Sequence, residues 1–325
     1  MKIGTKLGVL ALTVFLVSLT TFMLTLLLKG DPVVAVLGTS YDNKTPTGLA
    51  QIETVRKELR LDRAVPMRYL LWAKGAVTGD LGHKVAPSSG KISTTRILKE
   101  RLPVTLEIMI LTQIVAVAIA IPMGVISAYR KGKATDSVIT GASFILLALP
   151  NFALALILVF IFSVKLKWLP SVGYTRLTED LGKNLRSMVI PVLTLAIGLA
   201  SVYTRLLRSE MSATLQEDFI QMATAKGIKP WRVLLGHALR PSSFSLLTVI
   251  GINVGALIGG AVIMEQLMSI NGVGSALVES ILSREYQVVL GLVLVITLFY
   301  VTANFVVDLL YTVLDPRIRR GSTRG

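Results

Sequence analysis

Apolar residues in this chain come in blocks of 18 or more. A helix of that length crosses a hydrocarbon core of ~30 Å at ~1.5 Å per residue. Six such blocks predict an all-α membrane protein with spans at roughly 7–28, 104–127, 137–164, 188–207, 244–266 and 287–311. The balance of residues agrees: 53% are hydrophobic and 16% charged, where a soluble chain of 325 residues would carry more charge. The first block follows Lys2 and Lys6 and is too long for the ~7–15-residue core of a signal peptide, so it reads as a retained span.

Lysine and arginine set the expected orientation. Two lie at the N-terminus, three in the loop after span 2 (Arg130, Lys131, Lys133), six between spans 4 and 5, and four in the tail. The opposite short loops carry five and one. Both termini and the 208–243 loop are therefore expected in the cytoplasm, with Trp168 an anchor at the outer end of span 3. The 29–103 segment becomes a long external stretch between spans 1 and 2. Within it, Gln51–Leu61 places Ile52, Val55 and Leu59 on one helical face and pairs Glu53 with Lys57 at i,i+4. Pro66 opens a second helix presenting Tyr69, Leu70, Trp72 and Ala73. Such a helix lies in the membrane interface, receives an external partner, or does both.

Catalytic chemistry has little to stand on. There are no cysteines, and the two histidines, His83 and His237, lie outside the spans. No H-E-x-x-H or G-x-x-x-x-G-K-[ST] occurs. The acids nearest the spans, Glu107, Glu265 and Asp308, sit near span ends, and none is at the midplane expected of a proton-coupled carrier. An intramembrane enzyme is thus disfavoured, and a stand-alone carrier or channel is the runner-up to a chain driven from outside itself.

The stretch QMATAKGIKPWRVLLGHALRP (221–241) breaks the apolar pattern. Asp218 can cap a short helix with Phe219, Met222 and Ala223 on one face. Gly227 supplies the left-handed residue that ends it. Pro230 then starts a second helix, with Trp231, Leu234, Leu235 and Ala238 in helical register, which Pro241 stops before span 5. The apolar residues of this helix–turn–helix are either core against its own bundle or a patch for a partner. Its basic residues are too dispersed, and too mixed with Glu217 and Asp218, for nucleic acid.

This segment resembles the EAA loop of bacterial ABC-importer permeases. ATAKGIKPWRVLLGHALR (223–240) is similar to the A-x-A-K-G…V-x-x-x-H-A-L-R of the dipeptide/oligopeptide permeases, B-type subunit. LDRAVPMRYLLWAKGAVTGDLG (61–82), ILKERLPVTLE (97–107) and DLLYTVLDPRIR (308–319) resemble that family's external segment, the lead-in to its second span and its C-terminal end. Four such stretches in order cover nearly the whole chain. Gln221 stands where the EAA triplet has glutamate, Pro241 comes early in HALRPSSFS, and Asn271 replaces proline in MSINGVG (268–274).

The resemblance implies a type I importer fold and a non-catalytic subunit of a bacterial plasma-membrane importer. A C-type permease, two ATPase subunits that hold ATP and Mg, an external substrate-binding protein and membrane lipid would be its partners. It implies ATPase coupling through Gln221, Ala223, Ala225, Lys226, Gly227, Trp231, Leu234 and Leu235. Tyr69, Trp72 and Asp80 become candidates for the binding-protein face. The cargo would be a peptide, or another solute such as a nickel chelate or glutathione.

Along the expected path, Gly251, Gly255 and Gly259 recur every four residues in span 5, with Gly260 beside them. This spacing packs spans within the subunit or brings in a partner permease. Asn253 is a packing hydrogen bond or a pathway group, and Pro150-Asn151 predicts a kink in span 3.

Overall fold

The computed structural model describes residues 3–27, 33, 37, 45–84 and 92–314, with side chains described for 8–26, 33, 37, 45–84 and 92–306. The side chains of Lys2, Lys6 and Asp308, and the tail from 315 onward, lie outside these. The helices are α1 (Ile3–Leu27), α2 (Pro46–Glu58), α3 (Val65–Val77), α4 (Thr94–Tyr129), α5 (Ala134–Ala148), α6 (Asn151–Lys165), α7 (Leu181–Thr214), α8 (Asp218–Ala225), α9 (Pro230–Leu267), α10 (Val273–Leu282) and α11 (Tyr286–Leu314). No strand occurs among the described residues, only an isolated bridge between His83 and Ser93.

Among the described residues five helices are long and apolar enough to cross a membrane, and α5 with α6, bent by 104° at their break, makes a sixth where the pair counts as one span. Two features differ from expectation. The kink at Pro150 is a full break, because Leu149 (ψ 125°) and Pro150 (ψ 140°) are both extended. Proline disfavours the helical conformation in the residue before it and donates no hydrogen bond of its own. The helices also outrun the apolar blocks. α4 has 36 residues and α7 has 34, roughly 50 Å each at the helical rise. The expected boundary at 103/104 therefore falls inside α4.

The chain divides into two compact units. Unit 1 comprises Met1–Thr105 and Asn271–Val301. There α2 carries the expected apolar face and ion pair but runs over Pro46–Glu58 rather than 51–61, ending before Arg60 (φ +55°). Thr45 caps it through Gly48 N–H, Glu53 and Lys57 pair at 2.7 Å, and Val55 is buried beside Val33, Ile52 and Leu59. Tyr69 of α3 is also buried. Its ring packs edge-on against Phe22 (centroids 5.4 Å apart), and its hydroxyl shares a 2.9 Å hydrogen bond with Ser18.

α3 ends at Gly79 (φ +91°), where Asp80 N–H reaches Gly75 O and Gly79 N–H reaches Ala76 O, the paired bonds of a Schellman turn. The chain then presses Leu81 onto α11, so that a Cβ on Gly291 would lie 2.7 Å from Leu81 O. The G-D-L-G stretch is thus a helix stop followed by a backbone-to-helix contact. Elsewhere in the unit, Glu279 of α10 meets Lys84 at 3.2 Å and Arg101 at 3.1 Å. Partial burial opposes its charge, but the Lys84 hydrogen bond and the two cations outweigh this and hold the carboxyl below its ordinary value.

Unit 2 comprises Leu106–Ile270 and Thr302–Gly325. Its hub is α7, which packs against α5, α6 and α9. Asp180 caps α7 by accepting Lys183 N–H at 3.0 Å. Alanines make its mid-helix packing close: Ala116 and Ala120 of α4 and Ala196 and Ala200 of α7 are buried around Tyr203 and Leu246.

Two outcomes test these contacts. Gly291→Ala should destabilise the protein by roughly 1–3 kcal/mol through overpacking on backbone, while Gly141→Ala, with open space around it, should be neutral; thermal unfolding in detergent reads both. Because Glu279 titrates lower when folded, its contribution is present at neutral pH and is lost as pH falls through its depressed folded value. Protection of α10 amides from hydrogen exchange, taken relative to the intrinsic rate at each pH, should therefore fall on acidification, and Glu279→Gln should weaken that pH dependence.

Candidate functional site

The break in the apolar pattern at 221–241 becomes a hairpin on unit 2. α8 begins after Glu217, which takes the N-cap position without a side-chain bond, so Asp218 is the first helical residue rather than the cap. Gly227 (φ +75°) ends α8. Its N–H reaches Thr224 O at 2.9 Å and Ile228 N–H reaches Ala223 O at 3.3 Å, again a Schellman pair. A Cβ on Gly227 would meet nothing within 4 Å, so backbone conformation alone selects glycine.

The return leg does not stop at Pro241. α9 runs from Pro230 to Leu267, and a π-helical segment, Val233–Ala238, lies just before the proline. The wider turn loosens the ladder where proline cannot donate, so the hairpin leg and the span form one continuous rod.

Burial divides the hairpin lengthwise. Ile220, Ala223, Val233 and Ala238 are buried in a cluster with Val125 and Ala128 of α4 and Leu207 and Met211 of α7, and Leu234 packs against it. On the open side, Phe219, Met222, Trp231 and Leu235 are 46%, 57%, 56% and 51% exposed. Gln221, Ala225 and Lys226 are exposed too. Gln221 donates to Gln216 O at 3.3 Å, and Arg232 lies over the Trp231 ring at 5.1 Å. The two sequence alternatives thus divide by face: Ile220, Ala223, Val233 and Ala238 are core, and Phe219, Met222, Trp231 and Leu235 are exposed.

Sequence reasoning missed what locks the helices beneath. Asp136, in the first turn of α5, is buried. Arg208 of α7 grips both its carboxylate oxygens at 2.5 and 2.7 Å. Ser127 Oγ (2.6 Å), Gly132 N–H (2.9 Å) and Thr140 Oγ1 (3.4 Å) also donate to it. One carboxylate thus ties the end of α4, the 130–133 turn, α5 and α7 together. The signal available was an acid opening one span against an arginine closing another. Arg208 is one of the six basic residues counted between spans 4 and 5 for orientation.

The expected path residues fall in two places. Asn151 starts α6 and faces glycines: its amide oxygen lies 3.6 Å from the Cβ position of Gly198, and its nitrogen 3.8 Å from that of Gly260. Gly260 is the tight contact, since its Cβ would lie 2.8 Å from Leu195. Gly251 is buried and Gly255 half-buried, whereas Gly259 borders open space. Asn253 donates to Val249 O at 2.9 Å within its own helix and comes within reach of the Tyr203 hydroxyl. Tyr203 donates to Gln113 at 3.0 Å, and Gln113 donates to Ile250 O. This links α4, α7 and α9 by polar groups.

Glu107 accepts from Tyr174 at 2.8 Å, and burial first, then this carboxylate, pushes the Tyr174 hydroxyl up to about 12. Glu265 is fully buried in the last turn of α9. In unit 1, Tyr69 is too buried to face a binding protein and instead fastens α3 to α1. Trp72 is half-buried, and exposed Asp80 accepts Gly82 N–H at 3.0 Å.

A multi-pass helical bundle carrying a half-buried hairpin defines a membrane transport component. The sequence profile of the binding-protein-dependent transport system inner membrane component family matches residues 120–320, and the chain belongs to that family. It is 32% identical over 305 residues to a probable peptide ABC transporter permease protein of Sinorhizobium fredii, covering 94% of each chain. It is 34% identical to a putative peptide transport system permease protein of Brucella abortus, again covering 94% of each. Against the oligopeptide transport system permease protein AppB of Bacillus subtilis, identity is 36% over 78% of this chain and 80% of the relative. The fold matches a chain of the MetNI methionine ABC transporter in an inward-facing conformation at TM-score 0.56 and 15% identity, covering 67% of this chain and 96% of that one.

Breaking the carboxylate clamp has a defined signature. Asp136→Ala should cost about 3 kcal/mol by stranding Arg208, toward the low end because Arg208 is partly exposed. Adding Arg208→Met should recover part of the loss, read as the midpoint of thermal unfolding.

Proposed function

We propose that this chain is the B-type permease subunit of an ATP-driven peptide importer and forms half of its translocation path. The names of its relatives support a peptide cargo. The distribution of Lys and Arg supports a cytoplasmic hairpin and cytoplasmic termini in a bacterial plasma membrane. In this reading a C-type permease completes the path, an external binding protein delivers cargo, and two ATPase subunits hold ATP and Mg. The chain carries out no covalent step.

The observation that carries the proposal is the lengthwise division of the hairpin. Phe219, Met222, Trp231 and Leu235 present an apolar face for an ATPase cleft. Ile220, Ala223, Val233 and Ala238 hold the other face to α4 and α7. A push on the open face therefore reaches the spans through packed side chains and through the unbroken α9. Gln221 contributes an amide where a charge would have been, so this contact is uncharged. Gly259, exposed and bordered by open space, lies on the α9 surface that the partner permease would approach, and Asn151 and Asn253 border the path.

Gly227 is the sharpest test. A β-branched residue at φ +75° costs roughly 1–2 kcal/mol in that conformation, whereas asparagine tolerates it. Gly227→Val should lose ATP-driven peptide uptake and co-purification of the ATPase subunits while still inserting in the membrane, and Gly227→Asn should retain both. Normal uptake by Gly227→Val would refute coupling through this turn.

A further inference from the structure

Unit 1 contains a cavity of about 340 Å³ that the hairpin does not use. One wall is apolar, with Phe22 and Leu26 from the last turns of α1 and Leu290 from α11. The other wall holds the Arg60 and Arg68 side chains and the Trp72 indole. Arg68 Nε and Trp72 Nε1 are buried, and neither has a hydrogen-bond partner in the chain. Among the described residues no carboxylate pairs with Arg60 or Arg68. Asp80 also lines the cavity, with one oxygen engaged by Gly82 N–H.

A buried donor left unmatched costs about 1–3 kcal/mol, and more on a charged group. Burial accordingly pulls the Arg68 guanidinium below its ordinary pKa. The wall therefore lacks an acceptor, and its two cations call for an anionic one. The apolar wall belongs to the end of one candidate span, Gly8–Leu26, and the start of another, Tyr286–Val306. A membrane face passes at this level. A free anion would satisfy the donors but leave Leu26, 36% exposed at the end of α1, without apolar cover.

We propose that this cavity binds the phosphate of a phospholipid headgroup, with the acyl chains descending along the exposed Leu26 and Met23 of α1. Guanidinium forks match phosphate oxygens in pairs, and the Trp72 N–H adds a donor of fixed direction. The volume lies at the small end of the ~300–1,000 Å³ of ligand pockets, which suits a headgroup better than a peptide. Bound there, the lipid would join α3 to α1 and α11 beside the Tyr69–Ser18 contact. This site is independent of the peptide-importer reading.

The full chain, purified with whatever subunits accompany it, is analysed by native mass spectrometry for retained phospholipid. Wild type should retain phospholipid, and Arg68→Gln should retain roughly tenfold less, the loss expected for a charge-assisted hydrogen bond. Trp72→Phe, which keeps the ring packing, should also reduce retention. Wild-type retention by both variants would overturn the site. In a second arm, delipidated protein is titrated with short-chain phosphatidylglycerol or with inorganic phosphate, and the fluorescence lost in Trp72→Phe is followed. A response to the lipid alone is expected. An equal response to inorganic phosphate would overturn the lipid assignment in favour of a soluble oxyanion.

Discussion

Inside hydrocarbon a backbone N–H has no water to turn to, so each amide must find its partner within the chain. That requirement makes the apolar blocks helices and makes every departure from a helix costly. Two of the departures in this protein occur at prolines. At Leu149-Pro150 the α5–α6 span breaks outright, and Asn151 brings an amide to the break beside Gly198 and Gly260. At Val233–Ala238 the helix widens before Pro241 without opening. Two prolines with the same missing donor therefore produce opposite results. Leu149 is driven to an extended conformation, while the residues before Pro241 keep a helix.

That difference marks how far the sequence can be read. Length and apolarity sufficed for five continuous spans and the broken α5–α6 pair, since both are local and large in energy. Gly227 was legible as well, because a helix stop needs only the conformation of one residue and its neighbours. Pro241 was not. Whether proline ends a helix depends on how the preceding turn redistributes its hydrogen bonds, and no residue type in 233–238 announces a π turn. Which apolar residues of the hairpin are core and which stay open was not legible either, because periodicity places residues on a face without saying what that face meets. Ile220 and Ala223 fill the surface made by Ala128, Leu207 and Met211, while Phe219 and Met222 stay exposed.

Glycine spacing shows the same limit. Gly251, Gly255 and Gly259 satisfy the small-residue pattern, but the close approach belongs to Gly260, one residue out of register. A four-residue period places residues on one side of a helix without saying which side meets a neighbour. That is decided by the azimuth of α9 against α7, which large side chains such as Leu195 set. The Asp136 clamp was invisible on similar grounds. Its partners Ser127, Gly132, Thr140 and Arg208 come from separate stretches, and only the Arg208 contact gives the buried carboxylate a counter-charge.

The clamp and the hairpin cluster gain their meaning together. Leu207 and Met211 lie on the same helix as Arg208, so the helix that seats the hairpin is also the one held by Asp136. The seat is tight, since a Cβ on Gly124 would come within 3.0 Å of Leu207. Packed interiors transmit displacement because they have no slack to absorb it. A load on the hairpin would thus first move α7 against α4, and the bidentate carboxylate resists sliding between those helices more than it resists rotation of the group as a body. Rigid transmission needs no flexible linker here. It needs an unbroken rod, a filled seat and one buried charge pair, and all three lie within a single compact unit.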